Sequence, residues 1–122
     1  MVVTQGRDMI EQLVPPAHIA EVGSAPMWLF GLVTSENTTV CVLVVDRYLE
    51  WREKIPRDIR VAIESRNDSH RYVLADSTIG SGPDDSLCAM FSVSGSPKPG
   101  NYMLLIHSAT LGVEYSVEFS RS

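Results

Sequence analysis

The chain has 122 residues, of which 44% are hydrophobic and 20% are charged, and its formal net charge is −5. This length suits one domain with its own hydrophobic core, without support from a metal ion or disulfides. The balance of 10 basic against 15 acidic residues argues against a nucleic-acid-binding protein, which usually carries a basic patch and a high isoelectric point. No apolar run approaches the roughly 20 residues of a membrane-spanning helix.

Residues 1–26 are predicted to form an N-terminal arm that is either helical or extended. Between Met9 and Val14 the apolar residues recur at helical spacing, which predicts a short helix over residues 4–14. Pro15 and Pro16 would end this helix, and residues 17–26 would connect it to the main domain. Because the N-terminal stretch is too polar for a secretory signal peptide, we expect a cytoplasmic protein.

From residue 27 onward the pattern predicts β-structure. Gly, Pro, Asn, Asp and Ser clusters separate the strands, and the last strand alternates apolar and polar residues strictly. Residues 27–122 are therefore predicted to form an antiparallel β-sandwich of seven to eight strands. The run 39–46 is apolar on both faces, which favours a central position. The predicted strands cover 27–34, 39–46, 59–65, 70–75, 87–93, 101–107 and 113–119.

Two cysteines, Cys41 and Cys88, lie in apolar strand-like runs. The simpler interpretation is a pair of buried thiols that pack as small hydrophobes. The alternative is an immunoglobulin-type bridge between two sheets, with Trp51 as its packing partner. Ser86 stands two positions before Cys88, where an immunoglobulin domain would carry its corner tyrosine.

Catalysis by a nucleophile requires a base and an orienting group within hydrogen-bond reach. His18, His70 and His107 are the available bases, and we expect them at the surface or at strand ends. Neither a G-x-S-x-G elbow nor a protease-type cysteine signature accompanies them. The sequence therefore predicts a protein that is not an enzyme.

Paired carboxylates occur at Asp84 and Asp85, in the stretch GSGPDDS. Their oxygens suit Ca²⁺, although two acids fall short of the six to eight ligands that this ion takes. A solvated turn in which Asp caps its own backbone is the alternative. No cofactor is expected apart from this candidate Ca²⁺ site.

A mixed-charge segment between Arg47 and Arg60 is the candidate surface for a protein partner. Its acidic residues interleave with the basic ones, so a solvated segment is the competing interpretation. Trp28, at the start of the first predicted strand, is expected in the core. The residues that we single out for partner binding are Arg47, Trp51, Arg52 and Arg57.

The stretch 94–107, SGSPKPGNYMLLIH, places two prolines and two glycines directly before an apolar run. Proline fixes φ and lacks a donor, so this corner is predicted to be a connection between strands rather than a binding loop. In residues 88–121 the corner follows one apolar strand and precedes Gly-x-Tyr, a second apolar strand, a Ser-x-Thr turn and an aromatic closing strand. This order resembles the C-terminal half of the C2-like β-sandwich, or domain III, of calpain-type proteases. Residues 40–64 look similar to the same family, and bacterial pre-peptidase C-terminal domains share the Pro-Gly-x-Tyr corner.

The resemblance to the calpain domain implies a non-catalytic regulatory module that binds protein. In calpains an acidic loop of this domain is thought to couple calcium and phospholipid to activation, which makes a membrane surface the alternative partner. This chain lacks the long acidic run and retains only Asp84, Asp85 and scattered acids. A secreted immunoglobulin-like or pre-peptidase-like binding domain is the further alternative.

Overall fold

Period-two patterns and β-branched residues dominate the chain after its first ten residues, and the computed structural model accordingly consists of strands. It describes residues 10–22, 25–45, 58–67, 70–81 and 87–122, and these contain nine β-strands and no helix. The strands are β1 (Glu11–Val14), β2 (Ala17–Val22), β3 (Ala25–Thr34), β4 (Thr38–Val45), β5 (Arg60–Ser65), β6 (Arg71–Ser81), β7 (Leu87–Ser94), β8 (Gly100–Ser108) and β9 (Val113–Arg121). Every pairing between them is antiparallel, so the predicted all-β antiparallel fold is confirmed.

The strands form two sheets that share the long strand β6. Sheet A contains β1, β2, β3, β4, β7 and the second half of β6, which pairs with β7 from Ala75 to Ser81. Sheet B contains β5, β8, β9 and the first half of β6, which pairs with β5 from Arg71 to Leu74. One hydrogen-bonded path therefore runs through both sheets.

The path follows a Greek-key order, because β8 returns beside β5 after the consecutive strands β5, β6 and β7. The two ends of the path approach each other, since β9 lies against β1 and β2. An ion pair between Arg121 Nε and Glu11 Oε1 at 3.4 Å joins them. The structure is thus a nearly closed β-sandwich or barrel.

The predicted N-terminal helix is wrong over the residues that the structure describes. Glu11–Val14 is strand β1, and the connector predicted after it contains β2 and the start of β3. A register shift between Gln12 and Val14 lets both Leu13 and Val14 face the core. Two adjacent apolar residues of this kind also fit the spacing of a helix, which is why the sequence pattern indicated one. Because burial against β3 stabilises these residues, tertiary packing overrides their local pattern. Residues 4–9 of the predicted helix lie outside the described residues.

Pro15 and Pro16 interrupt an edge strand instead of ending a helix. β1 and β2 both pair with β3, and the register is kept across the two prolines, since Val14 is paired with Leu32 and Ala17 with Leu29. Proline lacks an N–H and is tolerated at such an edge.

The core lies between the inner faces of the two sheets. All seven strands predicted from residue 27 onward are present, and β4 is central between β3 and β7, as predicted. In β9 the even-numbered residues Glu114, Ser116 and Glu118 are exposed, so one face of this strand is open to solvent, as its strict alternation predicts. The largest fully buried core side chains are Met27, Leu29, Leu32, Leu43, Val61, Ile63, Phe91, Leu104, Ile106 and Val113.

The Pro/Gly corner carries the chain from β7 in sheet A to β8 in sheet B, so the predicted β-connection is confirmed. Gly95 has a φ of 83°, a region that glycine adopts without steric cost. The Tyr102 hydroxyl donates to the Lys98 carbonyl, four residues upstream. Arg121 Nη1 donates to the Pro97 carbonyl at 2.6 Å. Tyr102 therefore has the role of the corner tyrosine that Greek-key sandwiches use at such a crossing.

The two cysteines cannot bridge the sheets, because both lie in sheet A on neighbouring strands. Cys41 is paired with Phe91, whereas Cys88 is paired with Val44, three residue pairs further along the ladder between β4 and β7. Cys41 is buried in the core and Cys88 is half-buried on the opposite face, and both thiols are free. The immunoglobulin-type bridge is therefore wrong.

Candidate functional site

The site residues singled out from the sequence fall outside the described part of the structure. Arg47, Trp51, Arg52 and Arg57 belong to residues 46–57, and Asp84 and Asp85 belong to residues 82–86. The partner surface and the Ca²⁺ site therefore stay predictions. The described residues contain no group of three or more Asp, Glu, His or Cys side chains that could hold a metal ion, and none of them belongs to a helix that could span a bilayer.

The three histidines are exposed, as predicted, and lie apart in the fold. His18 Nε2 is 2.7 Å from Glu21 Oε2, and its ring packs edge-on against Trp28 with centroids 5.2 Å apart. His70 packs in the same way against Tyr72 at 4.6 Å. His107 lies near the end of β8, opposite Glu114.

Burial in the core raises the pKa of the Cys41 thiol to about 12. The thiolate is the nucleophilic form of cysteine, and Cys41 stays protonated at neutral pH. This thiol therefore packs as a hydrophobe, as the simpler interpretation of the sequence predicts.

The outer face of sheet A is apolar although it points away from the core. Trp28 and Phe30 keep 39% and 52% of their surface exposed, so the expectation that Trp28 belongs to the core is wrong. The neighbouring valines and Met90 on this face are half-buried. We call this surface the apolar face, and its members are Trp28, Phe30, Val33, Val40, Val42 and Met90.

Strand register makes the apolar face continuous. Val42 lies between Gly31 of β3 and Met90 of β7, and Val33 is paired directly with Val40. Cross-strand neighbours on one face of an antiparallel sheet have Cβ atoms about 5 Å apart, so their side chains touch. The face is one surface across three strands rather than a set of scattered side chains.

A β-bulge in β3 puts Val33 on the same face as Trp28 and Phe30. The register of β3 against β4 shifts between Leu29 and Gly31, which leaves Phe30 as the extra residue. In a strand without a bulge, Trp28 and Leu32 would share one face, whereas here Leu32 is fully buried in the core. The sequence shows no sign of the bulge except Gly31 itself.

One end of the apolar face opens into a groove of about 280 Å³. Its walls come from the end of β3, the start of β4 and the residue before β1. Ile10, in this wall, is 78% exposed. The groove is lined by Ile10, Val33, Thr34, Ser35, Thr38 and Val40.

The outer face of sheet B has a different character. It carries the ion pairs of Arg66 with Glu118 at 2.9 Å and of Arg71 with Glu64 at 3.7 Å. Val73 is a large apolar side chain exposed on this face, with 59% of its surface accessible. The outer face of sheet B is therefore mixed, because the apolar residues Val73, Met103 and Leu105 lie on it beside the ion pairs. The exposed aromatic residues Trp28 and Phe30 belong to sheet A.

A second cavity, of about 280 Å³, lies beside the Pro/Gly corner. It is more polar than the groove on sheet A, and the ring of buried Tyr102 forms part of its wall. Its lining residues are Ser65, Asn67, His70, Tyr72, Lys98, Pro99, Gly100 and Tyr102.

No protein-family model matches the chain, and no curated protein matches it either.

Proposed function

We propose that this chain is a non-catalytic module that binds a protein partner through the apolar face of sheet A. The observation that carries the proposal is the exposure of Trp28 and Phe30 on a continuous apolar surface, opposite a sheet whose outer face carries ion pairs. Large contiguous apolar patches on a monomer mark sites of interaction with protein or membrane.

Exposed aromatic side chains are among the residue types that supply most of the binding energy in protein interfaces. Trp28 and Phe30 lie on β3, which is hydrogen-bonded to strands on both sides, so little backbone conformational entropy is lost when a partner covers them. The candidate partner residues Arg47 to Arg57 begin two positions after the end of β4, whose outer residues belong to the apolar face.

The resemblance of residues 88–121 to the C2-like domain of calpain-type proteases supports a regulatory role beside a larger catalytic protein. The confirmed all-β antiparallel fold is compatible with that family. Two free thiols suit a reducing compartment, and we propose that the module works in the cytoplasm.

Site-specific photo-crosslinking tests the proposal. A photoreactive residue at Phe30 is expected to link one discrete protein in the cells that produce the chain, and the same residue at Val73 on sheet B is expected to link none. The captured protein is then expressed, and its affinity for the purified chain is measured.

The variant Phe30→Ser is expected to weaken this affinity by about tenfold or more, because it removes an exposed aromatic anchor. Val73→Ser is the matched control, since it also removes an exposed apolar side chain, and the affinity should not change. Equal losses for both variants, or no linked protein at Phe30, would contradict the proposal.

A further inference from the structure

We propose that the cavity beside the Pro/Gly corner binds an oxyanion carried on a planar apolar body, such as an aromatic carboxylate or an aryl phosphate. The cavity is lined by residues of the corner and of β5, β6 and β8. It therefore belongs to sheet B and is separate from the apolar face, so the inference is independent of the proposed protein contact.

Hydrogen-bond donors dominate the described wall of the cavity. Lys98, Asn67 and Ser65 line the cavity and carry an ammonium group, an amide and a hydroxyl, and none of its described lining residues is a carboxylate. An ammonium group has three donors and no acceptor. No described residue forms an ion pair with Lys98, although the chain as a whole is acidic. This set of groups favours a ligand that accepts hydrogen bonds and carries negative charge.

Aromatic rings supply the other half of the site. His70 packs against Tyr72 with centroids 4.6 Å apart, and Tyr72 lies 6.5 Å from Tyr102. Tyr72 is half-buried, so part of its ring remains open beside the donors. A planar apolar group can pack against this ring while its anionic end reaches Lys98. The rings therefore distinguish a substituted ligand from inorganic phosphate alone.

The corner holds the cavity in shape before a ligand enters. The Tyr102 hydroxyl binds the carbonyl of Lys98 itself, and Arg121 binds the Pro97 carbonyl. The prolines on both sides of Lys98 fix two φ angles. Because the backbone at Lys98 is anchored in this way, only its side chain must be ordered on binding. The stretch that the sequence predicts as a connection alone is here also the wall of a binding site.

The site also leaves room for a ligand close to the backbone at Gly100. A Cβ atom at this position would lie 3.7 Å from Asn67 Nδ2 and 3.8 Å from the Tyr102 ring. Those distances are ordinary van der Waals contacts, so a side chain would occupy the space between the amide and the ring. Glycine keeps that space open for a ligand.

The test is a titration of the intact protein, in which two-dimensional NMR monitors the chemical shifts of the backbone amides. The probes are inorganic phosphate, benzoate and phenyl phosphate, added at constant ionic strength because screening alters weak charge contacts. Phenyl phosphate is expected to shift the amides of Asn67, His70, Gly100 and Tyr102 at lower concentration than inorganic phosphate. A response to phosphate and phenyl phosphate alone identifies a phosphate ligand, and a response to benzoate alone identifies a carboxylate ligand.

Two charge-neutralising variants complete the design. Lys98→Gln is expected to weaken binding of the probes by about tenfold or more, the usual loss for a charge-assisted hydrogen bond. Arg60→Gln removes the same charge at the other end of β5, about 16 Å from Ser65 along the strand, and should leave binding unchanged. The proposal is overturned if no probe shifts these four amides, or if both variants weaken binding equally.

Discussion

At the scale of single residues, Tyr102 connects the corner to the core. The residue is only 5% exposed, and its ring stacks on the ring of Phe119 with centroids 5.5 Å apart, while its hydroxyl donates to the Lys98 carbonyl. A buried aromatic ring with a satisfied polar end can hold a loop to a sheet. This tyrosine lies near the start of β8, directly after the Pro/Gly corner. An immunoglobulin domain would instead carry it two positions before Cys88.

Tyr102→Phe is expected to lower the free energy of unfolding by about 1 kcal/mol, because it removes the hydrogen bond and keeps the ring. Urea unfolding followed by circular dichroism measures the difference. Tyr115→Phe is the matched control, since Tyr115 is half-buried on β9 and its hydroxyl has no hydrogen bond within the described structure. Equal losses in the two variants would remove the proposed role of the Tyr102 hydroxyl.

Asp58 ties the turn between β8 and β9 to the residues before β5. Its carboxylate accepts hydrogen bonds from the Thr110 N–H at 2.9 Å, the Ser108 hydroxyl at 2.8 Å and the Thr110 hydroxyl at 3.0 Å. The Thr110 backbone hydrogen bond is the main reason that the pKa of Asp58 lies below its ordinary value of 3.8, and the Ser108 hydroxyl adds to the effect. The folded state therefore favours the ionised carboxylate.

A carboxyl group whose pKa is lower in the folded state stabilises the fold at pH values above its unfolded pKa. This contribution is expected in full above about pH 4 and to disappear as the pH falls through the lowered pKa of Asp58. The measurement compares the unfolding free energies of the native chain and Asp58→Asn in a series of buffers. Their difference should shrink as the pH falls, and a difference independent of pH would contradict the expectation.

At the scale of elements, the N-terminal strands show how far local pattern can mislead. The spacing of apolar residues over 4–14 fits a helix, yet Leu13 and Val14 lie in the core of a β-structure. The register shift between Gln12 and Val14 lets both of these adjacent residues be buried at the edge of the sheet. Pairing with β3 and burial of Leu13 and Val14 stabilise this segment as a strand.

Leu13→Ala is expected to destabilise the protein by about 2–4 kcal/mol, because it leaves a cavity beneath β1. Ile10→Ala is the matched control three residues earlier, where the side chain is 78% exposed, and it should change stability by less than about 0.5 kcal/mol. Thermal or urea unfolding of both variants provides the comparison. A small effect at Leu13 would mean that β1 is a dispensable arm.

At the scale of the whole molecule, two connections make the sheets one unit. Strand β6 pairs with β7 through its second half and with β5 through its first half, and the Pro/Gly corner crosses from β7 to β8. The core residues of both sheets also form one cluster. Neither sheet can lose its pairing without exposing the inner face of the other.

We therefore expect a single unfolding transition. In a urea titration followed by two-dimensional NMR, folded-state signals from Leu43 in sheet A and Leu104 in sheet B should disappear at the same urea concentration. Buried leucines at the centres of the two sheets make a matched pair of reporters, since both are almost fully buried. Loss of one signal at clearly lower urea would show that the sheets unfold separately.

The sequence by itself determined the class of fold and most strand positions. Seven strands followed from period-two patterns between turn residues, because alternation of side chains across a sheet is a local property. The central position of β4 followed from its two apolar faces. The Pro/Gly corner marked the connection to β8, since proline cannot donate to a ladder.

Only the tertiary structure decided which faces are buried and what they meet. The bulge at Phe30 and the pairing of β4 with both β3 and β7 assembled an exposed apolar face from runs that look like core in the sequence. The cavity beside Lys98 brings together residues more than 30 positions apart along the chain. Such sites depend on strand register and on long-range pairing, and a single sequence carries neither in its local pattern.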